Sequence, residues 1–415
     1  MNWQRIDGGV TAPQGFLAAA IRAGLKPSGA TDLVLLVSEV PATGAGVFTT
    51  SVVRAACVDY DRELLQRGQK IRAILCNAGQ ANACTGAEGA QTTQVSARLV
   101  QEVLQTEDGV LIASTGVIGQ QIDRGKLERG IREIVKHLSR EAGETAAQGI
   151  ITTDLVPKTM ALETTLQGKT VRLGGMAKGS GMIHPHMATM LGFITCDASV
   201  EPSLWQTMLK AATDRSFNQI TVDGDTSTND SLLALCNDRS GLPLITEPDS
   251  AAAQTIGAML TDLCIYLAKK IARDGEGATC LIEVQVYGAE NDSQARQIAK
   301  TIGGSALVKS AIFGRDPNWG RIAAAAGRAG VNFCQDQLRI ELGNYLLMDQ
   351  GQPLPFDRSG ASNYLKLQAE ASGQAQSIDH PVVIKVTIGD GKGQGVAWGC
   401  DLTYDYVKIN AEYTT

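Results

Sequence analysis

Two spatial periods organise the hydrophobic positions of this chain. Short aliphatic and β-branched runs with strand character recur around residues 32–40, 71–79, 110–119, 192–198, 231–237 and 281–289. Two more candidates follow, a strand over 338–348 and the stretch "VVIKVTIGDGKGQGVAWGCDL" over 382–402, which predicts a hairpin around its glycine-rich turn. The helical period appears in 96–105, where Leu99, Val100, Val103 and Leu104 share a face, and in 125–141, with Leu127, Ile131, Ile134, Val135 and Leu138. The longest helical stretch is 251–275, with Ile256, Met259, Leu260, Leu263, Leu267 and Ile271 in register and Gly275 as its stop. Strands mixed with long amphipathic helices predict a layered α/β or mixed α+β architecture. A length of 415 residues predicts two lobes rather than one core.

Composition narrows the class. Hydrophobic residues make up 44% and charged residues 19%, as in an ordinary globular protein. The net charge of −6 and the scattered Lys and Arg argue against nucleic acid or an anionic membrane as partner. No apolar run reaches the roughly 18 residues of a membrane span. The opening "MNWQRIDGGVTAPQGF" has neither a basic stretch followed by an apolar core nor an Arg-rich amphipathic pattern, so the expected location is the cytoplasm. The nine cysteines are odd in number, lack CxxC pairing and lie mostly in apolar runs, which predicts buried thiols rather than disulfides.

Most chemical motifs fail on spacing. In "GGMAKGSG" the lysine precedes its glycine, so the Walker pattern is not met, and "GDGKGQG" reads as a turn. His184 and His186 alternate across Pro185 without a third partner at metal-like spacing, so a hydrogen-bonding role is expected and no metal. Asp223, Asp225 and Asp230 sit among Asn and Ser in "VDGDTSTNDS", a pattern that suits a hydrogen-bonded turn as well as a cation site. No GxSxG elbow is present, and nothing in the spacing supports a Ser-His-Asp triad.

The stretch "KGSGMIHPHMATMLGFITCDA" (178–198) stands out. Thr189 lies after a polar, glycine-rich loop and just before an apolar strand, where a residue can become a chain terminus. A threonine hydroxyl is a weak nucleophile without a base. An N-terminal threonine carries its own, an α-amine of reference pKa about 7.7–8.0. Attack of the Thr189 hydroxyl on the Ala188 carbonyl, followed by hydrolysis of the ester, would free that amine.

That segment resembles the self-cleavage site of the ornithine acetyltransferase family, the glutamate N-acetyltransferases of the arginine pathway. "GVFTTSVVRAA" (46–56), "NAGQANACTG" (77–86), "ASTGVIG" (113–119), "ITTD" (151–154), "VDGDTSTNDS" (222–231), "RDGEGAT" (273–279), "FGRDPNWGRI" (313–322) and the tail from Trp398 to Thr415 are similar to it in the same order. The resemblance implies a layered αββα fold of the N-terminal-nucleophile type. It implies cleavage between Ala188 and Thr189 into an α chain, 1–188, and a β chain, 189–415, assembled as an α2β2 heterotetramer. Thr189 would carry acetyl from N-acetylornithine to glutamate in a ping-pong cycle without a cofactor, with acetyl-CoA as a possible second donor. Thr115 and Gly116 match the family's oxyanion hole. Thr152, Lys178, Glu276, Asn410 and Thr415 match its substrate contacts, with Thr153 an alternative to Thr152. The carboxylate of Glu276 would take the cationic end of ornithine, and Lys178 would hold a substrate carboxylate or keep the Thr189 amine deprotonated. Two other readings remain open on the residues alone, a self-processing hydrolase using the same threonine and an uncut binding protein.

Overall fold

The computed structural model describes residues 3–184 and 190–412. Its first half runs β1 (Trp3–Ile6), β2 (Phe16–Ile21), β3 (Leu33–Phe48), α1 (Ala56–Gln66), β4 (Ile71–Gln80), α2 (Gly86–Leu104), β5 (Gly109–Val117), α3 (Arg124–Ile134), α4 (Gly143–Gly149), β6 (Lys158–Leu166) and β7 (Lys169–Lys178). Next come β8 (Leu191–Cys196), α5 (Pro202–Asp214), β9 (Ser231–Cys236) and α6 (Ala251–Arg273). The last part holds β10 (Leu281–Ala289), α7 (Asp292–Gly303), α8 (Ala306–Phe313), α9 (Trp319–Gly327), β11 (Arg339–Leu342), β12 (Tyr345–Asp349) and β13 (Gln352–Pro353). It closes with α10 (Arg358–Gly373), β14 (Val382–Thr387), β15 (Gly393–Cys400) and α11 (Tyr404–Glu412).

Nine strands join in the order β1-β6-β7-β8-β9-β3-β4-β5, with β2 also on β3. The long β3 serves two layers. Leu33–Val37 pair with β4, the register shifts before Ala42, and Thr43–Phe48 pair with β9. This divides the strands into two stacked groups. On one face of β8 and β9, Leu191, Phe193, Leu233 and Leu235 enter the core formed by β2–β5 and α1–α3. Alternate residues Ile194, Cys196, Leu232 and Ala234 face α5 and α6 instead. Helix, sheet, sheet and helix layers result, and β8 and β9 are buried throughout because both faces are covered.

A second sheet, β13-β12-β11-β14-β10-β15, carries its own core with α7, α9 and α10. Helix α6 touches β6 and β7 of the first sheet and β10 and β15 of the second, so it joins the lobes. It is the one described helix long and apolar enough to cross a membrane, but its apolar stripe is spent on these contacts. All nine cysteines are free, seven of them buried.

Three local expectations need correction. The stretch 382–402 is not a hairpin: β10 lies between its two strands, parallel to β14 and antiparallel to β15. The glycine-rich segment instead crosses the end of β10. A Cβ on Gly391 would lie 1.9 Å from the Ala289 carbonyl oxygen, so only glycine permits the crossing. The run 338–348 is two strands, β11 and β12, broken at Gly343 with φ +57°. The helix expected over 125–141 ends at Ile134, and a 3-10 turn at Val135–His137 turns the chain so that Ser139 exchanges backbone bonds of 2.9 and 3.0 Å with Ala18.

Candidate active site

The end of β7 and the start of β8 lie side by side, with Lys178 opposite Leu191. Both sides of the intervening segment are tied down. On its upstream side the Asp223 carboxylate accepts from the Met182 and Ile183 amides, at 2.5 and 2.8 Å. His184 Nδ1 meets Thr221 Oγ1 at 2.9 Å. On its downstream side the Met190 carbonyl accepts from the Ser231 amide at 3.1 Å. Pro185, His186, Met187, Ala188 and Thr189 lie outside the described residues, so the expected cleavage site and nucleophile fall between these two anchors.

The segment leading into β9 connects this point to the end of β5. Asn229 Nδ2 donates to the Ser114 carbonyl at 2.7 Å and to the Ala81 carbonyl at 2.5 Å. Thr115 and Gly116 follow Ser114 directly. Gly116 has φ +130°, and a Cβ there would lie 2.2 Å from the Gly79 carbonyl carbon of the paired strand. The last residues of β5, which carry Thr115, therefore require glycine at position 116. Asp230, next to Asn229, is 1% exposed, and neither carboxylate oxygen has a hydrogen-bond partner among the described residues. Burial pushes this carboxyl well above the usual carboxylate range, since the Met190 amide, the Lys178 ammonium and Ser227 lie near it without closing a hydrogen bond and offset the burial only in part.

Lys178 belongs to a buried charge network. Its Nζ lies 3.9 Å from Asp154 Oδ2. Asp154 Oδ1 accepts from Lys158 Nζ and from the Gly179 amide, both at 2.6 Å, and Oδ2 from the Thr152 amide at 3.1 Å. Lys158 Nζ also reaches Asp274 Oδ2 at 2.6 Å. Burial alone would raise the pKa of Asp154, but the Lys158 and Lys178 ammonium groups and the Gly179 amide hold it far below the ordinary value. Asp154 thus fixes the backbone of Thr152, the turn after β7 and the position of Lys178 together.

Glu276 sits where α6 ends, its amide bonded to the Ser180 carbonyl at 2.9 Å. Its Oε2 accepts from Asn410 Nδ2 at 2.9 Å. Gly181 makes room for it, since a Cβ there would lie 2.5 Å from the Glu276 carboxyl carbon. Beside it is a cleft of about 350 Å³ lined by Thr153, Asp274, Glu276, Asp405, Lys408 and Glu412 among others. Four carboxylates against one ammonium suit a cationic ligand. Thr153 lines this cleft, with its hydroxyl 2.7 Å from Ser180 Oγ, whereas Thr152 contributes its amide to Asp154. Thr415 lies outside the described residues.

The structure therefore brings Lys178, Thr152, Glu276 and Asn410 to one network around the 178–184 loop, and ties Thr115 and Gly116 to the start of β8 through Asn229. The sequence patterns do not single out Asp154, Lys158, Asp274 or Asn229. Asp154 lies in the "ITTD" motif and was legible there only as a neighbour of the threonines. In "VDGDTSTNDS", Asp223 and Asn229 organise turns, and among the described residues no group of three or more His, Cys, Asp or Glu is placed to hold a metal. "FGRDPNWGRI" is a scaffold: Asn318 caps α9, Asp316 pairs with Arg358 at 2.6 Å, and Arg315 donates to Thr279 Oγ1 at 3.0 Å.

The stacked sheets, with helices on both outer faces and a second sheet joined through α6, define a layered mixed α/β protein. The profile of the ArgJ family matches residues 17–415. Over 415 residues the chain is 62% identical to the arginine biosynthesis bifunctional protein ArgJ 1 of Nostoc, covering all of both chains. It is also 62% identical to the arginine biosynthesis bifunctional protein ArgJ of Thermosynechococcus vestitus over 418 residues, again covering all of both. The crystal structure of an arginine biosynthesis bifunctional protein ArgJ from Bacillus halodurans superposes with a TM-score of 0.50 at 45% identity, covering 54% of this chain and all of that one. The chain belongs to the ArgJ family, and it is an acetyltransferase of arginine biosynthesis.

Proposed function

We propose that the chain moves an acetyl group from N-acetylornithine to glutamate through an ester on Thr189, after cutting itself between Ala188 and Thr189. In maturation the Thr189 oxygen attacks the Ala188 carbonyl carbon, the C–N bond breaks, and water opens the resulting ester. The Ala188 carboxylate and a free Thr189 amine remain. In the first transfer the Thr189 hydroxyl gives its proton to that amine as its oxygen attacks the acetyl carbonyl. Thr115 Oγ1 and the Gly116 amide are the donors proposed to stabilise the oxyanion. Collapse expels the ornithine amine, which takes the proton back, and the glutamate amine then attacks the ester by the same steps in reverse.

The observation that carries this reading is the meeting of four strand ends. The β7 end with Lys178, the β8 start preceded by Met190, the Asn229–Asp230 segment before β9 and the last residues of β5 from Ser114 are joined by direct backbone and side-chain bonds. The acidic cleft at Glu276 and Asn410 suits the ammonium of an ornithine-type side chain. Thr152 and Thr415 are proposed as further substrate contacts, and acetyl-CoA as an additional donor. No cofactor enters these steps. The products 1–188 and 189–415 are proposed to assemble as α2β2 in the cytoplasm.

Denaturing intact-mass analysis and an exchange assay test the scheme together. Two chains are expected, one beginning at Thr189, with ornithine and N-acetylglutamate formed from N-acetylornithine and glutamate. A Thr189→Ala protein should remain one chain and be inactive. Active material consisting only of unbroken chain, or a Thr189→Ala protein that is still cut, refutes it. Acetate release unaffected by glutamate would mean hydrolysis instead.

A further inference from the structure

A cavity of about 650 Å³ opens between α7 and the segment from Asp214 to Gly224, and it shares no lining residue with the Glu276 cleft. Its charged wall is mostly basic: Arg296 and Lys300, one turn apart on α7, and Arg328 after α9, with Asp214 the one carboxylate. Asp214 Oδ1 is already engaged by Asn218 Nδ2 at 2.7 Å. Arg296 has a loose contact of 4.0 Å with Asp292.

Lys300 is the unusual member. It is 7% exposed, and its Nζ has no hydrogen-bond partner among the described residues. A buried ammonium without a counter-ion is unfavourable, and burial lowers its pKa to about 7. A methionine or leucine would fill the same place on α7 without that penalty, so the folded chain alone gives no reason for lysine here. An anion in the cavity would.

We propose that this cavity binds a phosphate-bearing ligand, held by Lys300, Arg296 and Arg328. One carboxylate occupies one guanidinium fork, whereas a phosphate dianion or a pyrophosphate engages several cations at once. The volume leaves room for more than a single small anion. Binding also draws a proton onto Lys300, because the new charge favours the ammonium form. The other titratable or charged groups facing the cavity are Arg296, Arg328, Asp214 and His184, the last bonded to Thr221. The cavity borders the active-site loop through His184 but shares no lining residue with the Glu276 cleft.

Calorimetric titration of the full-length protein with sodium pyrophosphate and, separately, with coenzyme A tests this, with sodium succinate at matched ionic strength as the carboxylate control. Both phosphate compounds, or one of them, should bind in a way that depends on Lys300, which separates this cavity from coenzyme A held at the acetyl-transfer site. Tighter binding of coenzyme A identifies a nucleotide-bearing ligand, and equal or tighter binding of pyrophosphate a simpler phosphate. Lys300→Met should weaken binding roughly tenfold to a hundredfold, abolish proton uptake measured in two buffers of different ionisation enthalpy, leave amino-acid acetyl exchange intact, and keep or raise the melting temperature of the unliganded protein. Absence of binding by both compounds, equal binding by succinate, or unchanged binding in Lys300→Met and in Arg296→Gln overturns the assignment. Acetyl exchange measured in parallel keeps this failure separate from failure of the proposed function.

Discussion

Among the described residues Lys158 is the one ammonium within 3 Å of both Asp154 and Asp274, with no side-chain exposure. In Lys158→Met, Asp154 keeps the Gly179 and Thr152 amides and a distant Lys178, whereas Asp274 keeps only the Leu155 amide. Asp274 is therefore the carboxylate expected to take up a proton in the folded variant. Protonating a carboxyl of unfolded pKa about 3.9 costs about 1.4 kcal/mol per pH unit above that value, or about 5 kcal/mol at pH 7.5 and about 1.5 kcal/mol at pH 5. The first figure agrees with the roughly 3–5 kcal/mol lost when a buried pair is broken from one side. The direction follows from linkage. A folded-state pKa raised above the unfolded one leaves stability intact below about pH 4 and removes it as pH rises through the folded value. Urea unfolding of wild type and variant at pH 5 and pH 7.5 measures the difference. A loss below about 1 kcal/mol at pH 7.5, or an equal loss at both pH values, would refute the view that Lys158 compensates a buried carboxylate pair.

Three further outcomes are expected. Thr115→Val should lower kcat by roughly a hundredfold to a thousandfold with little change in KM, since an oxyanion donor acts on the transition state; steady-state kinetics on cleaved protein checks this. Glu276→Gln should raise KM for the ornithine-type substrate by roughly tenfold or more, the worth of a hydrogen bond to a charged group, with a smaller effect on kcat. Asp230→Asn removes a buried carboxylate that has no described partner, so it should raise the melting temperature at pH 8, where a carboxyl of elevated folded pKa is most destabilising, and give little gain at pH 4. An unchanged or lowered melting temperature at pH 8 would mean that Asp230 has a stabilising partner after all.

Elements with one strong period were legible in the sequence. β4, β5, β8, β9, β10 and α6 occupy the expected stretches because each is a mainly apolar run, an apolar–polar alternation as in β10, or a clear helical stripe. The errors arise where non-local pairing decides. Nothing within 382–402 signals that β10, about a hundred residues earlier, enters between β14 and β15. β6 and β7 escaped notice because "KTMALETTL" and "KTVRLGGMAK" are too polar and glycine-rich to read as strands, although they form a nine-pair ladder. At the site, resemblance supplied the residues proposed to touch substrate. It did not reveal the groups that hold them. Asp154, Lys158 and Asp274 are charges in unremarkable surroundings, and only the fold makes them partners across 116 positions.

The sheet order also bears on when a cut could occur. β8 and β9 lie after the proposed cleavage point, yet they are inserted between β7 and β3, which lie before it. Each side is a full ladder: six residue pairs join β7 to β8 and six join β3 to β9. The Lys158–Asp274 ion pair and the Asn229 bonds to Ala81 and Ser114 span the same boundary. A fragment 189–415 leaving the molecule would strip both faces of β8 and β9 and leave fragment 1–188 with two open strand edges. Neither fragment can form the nine-stranded sheet by itself, so that sheet must assemble before the chain is cut. Cleaved protein should then run as one species in native size-exclusion chromatography and separate into two only in denaturant. Fragments that part under native conditions would contradict this account of the interleaved sheet.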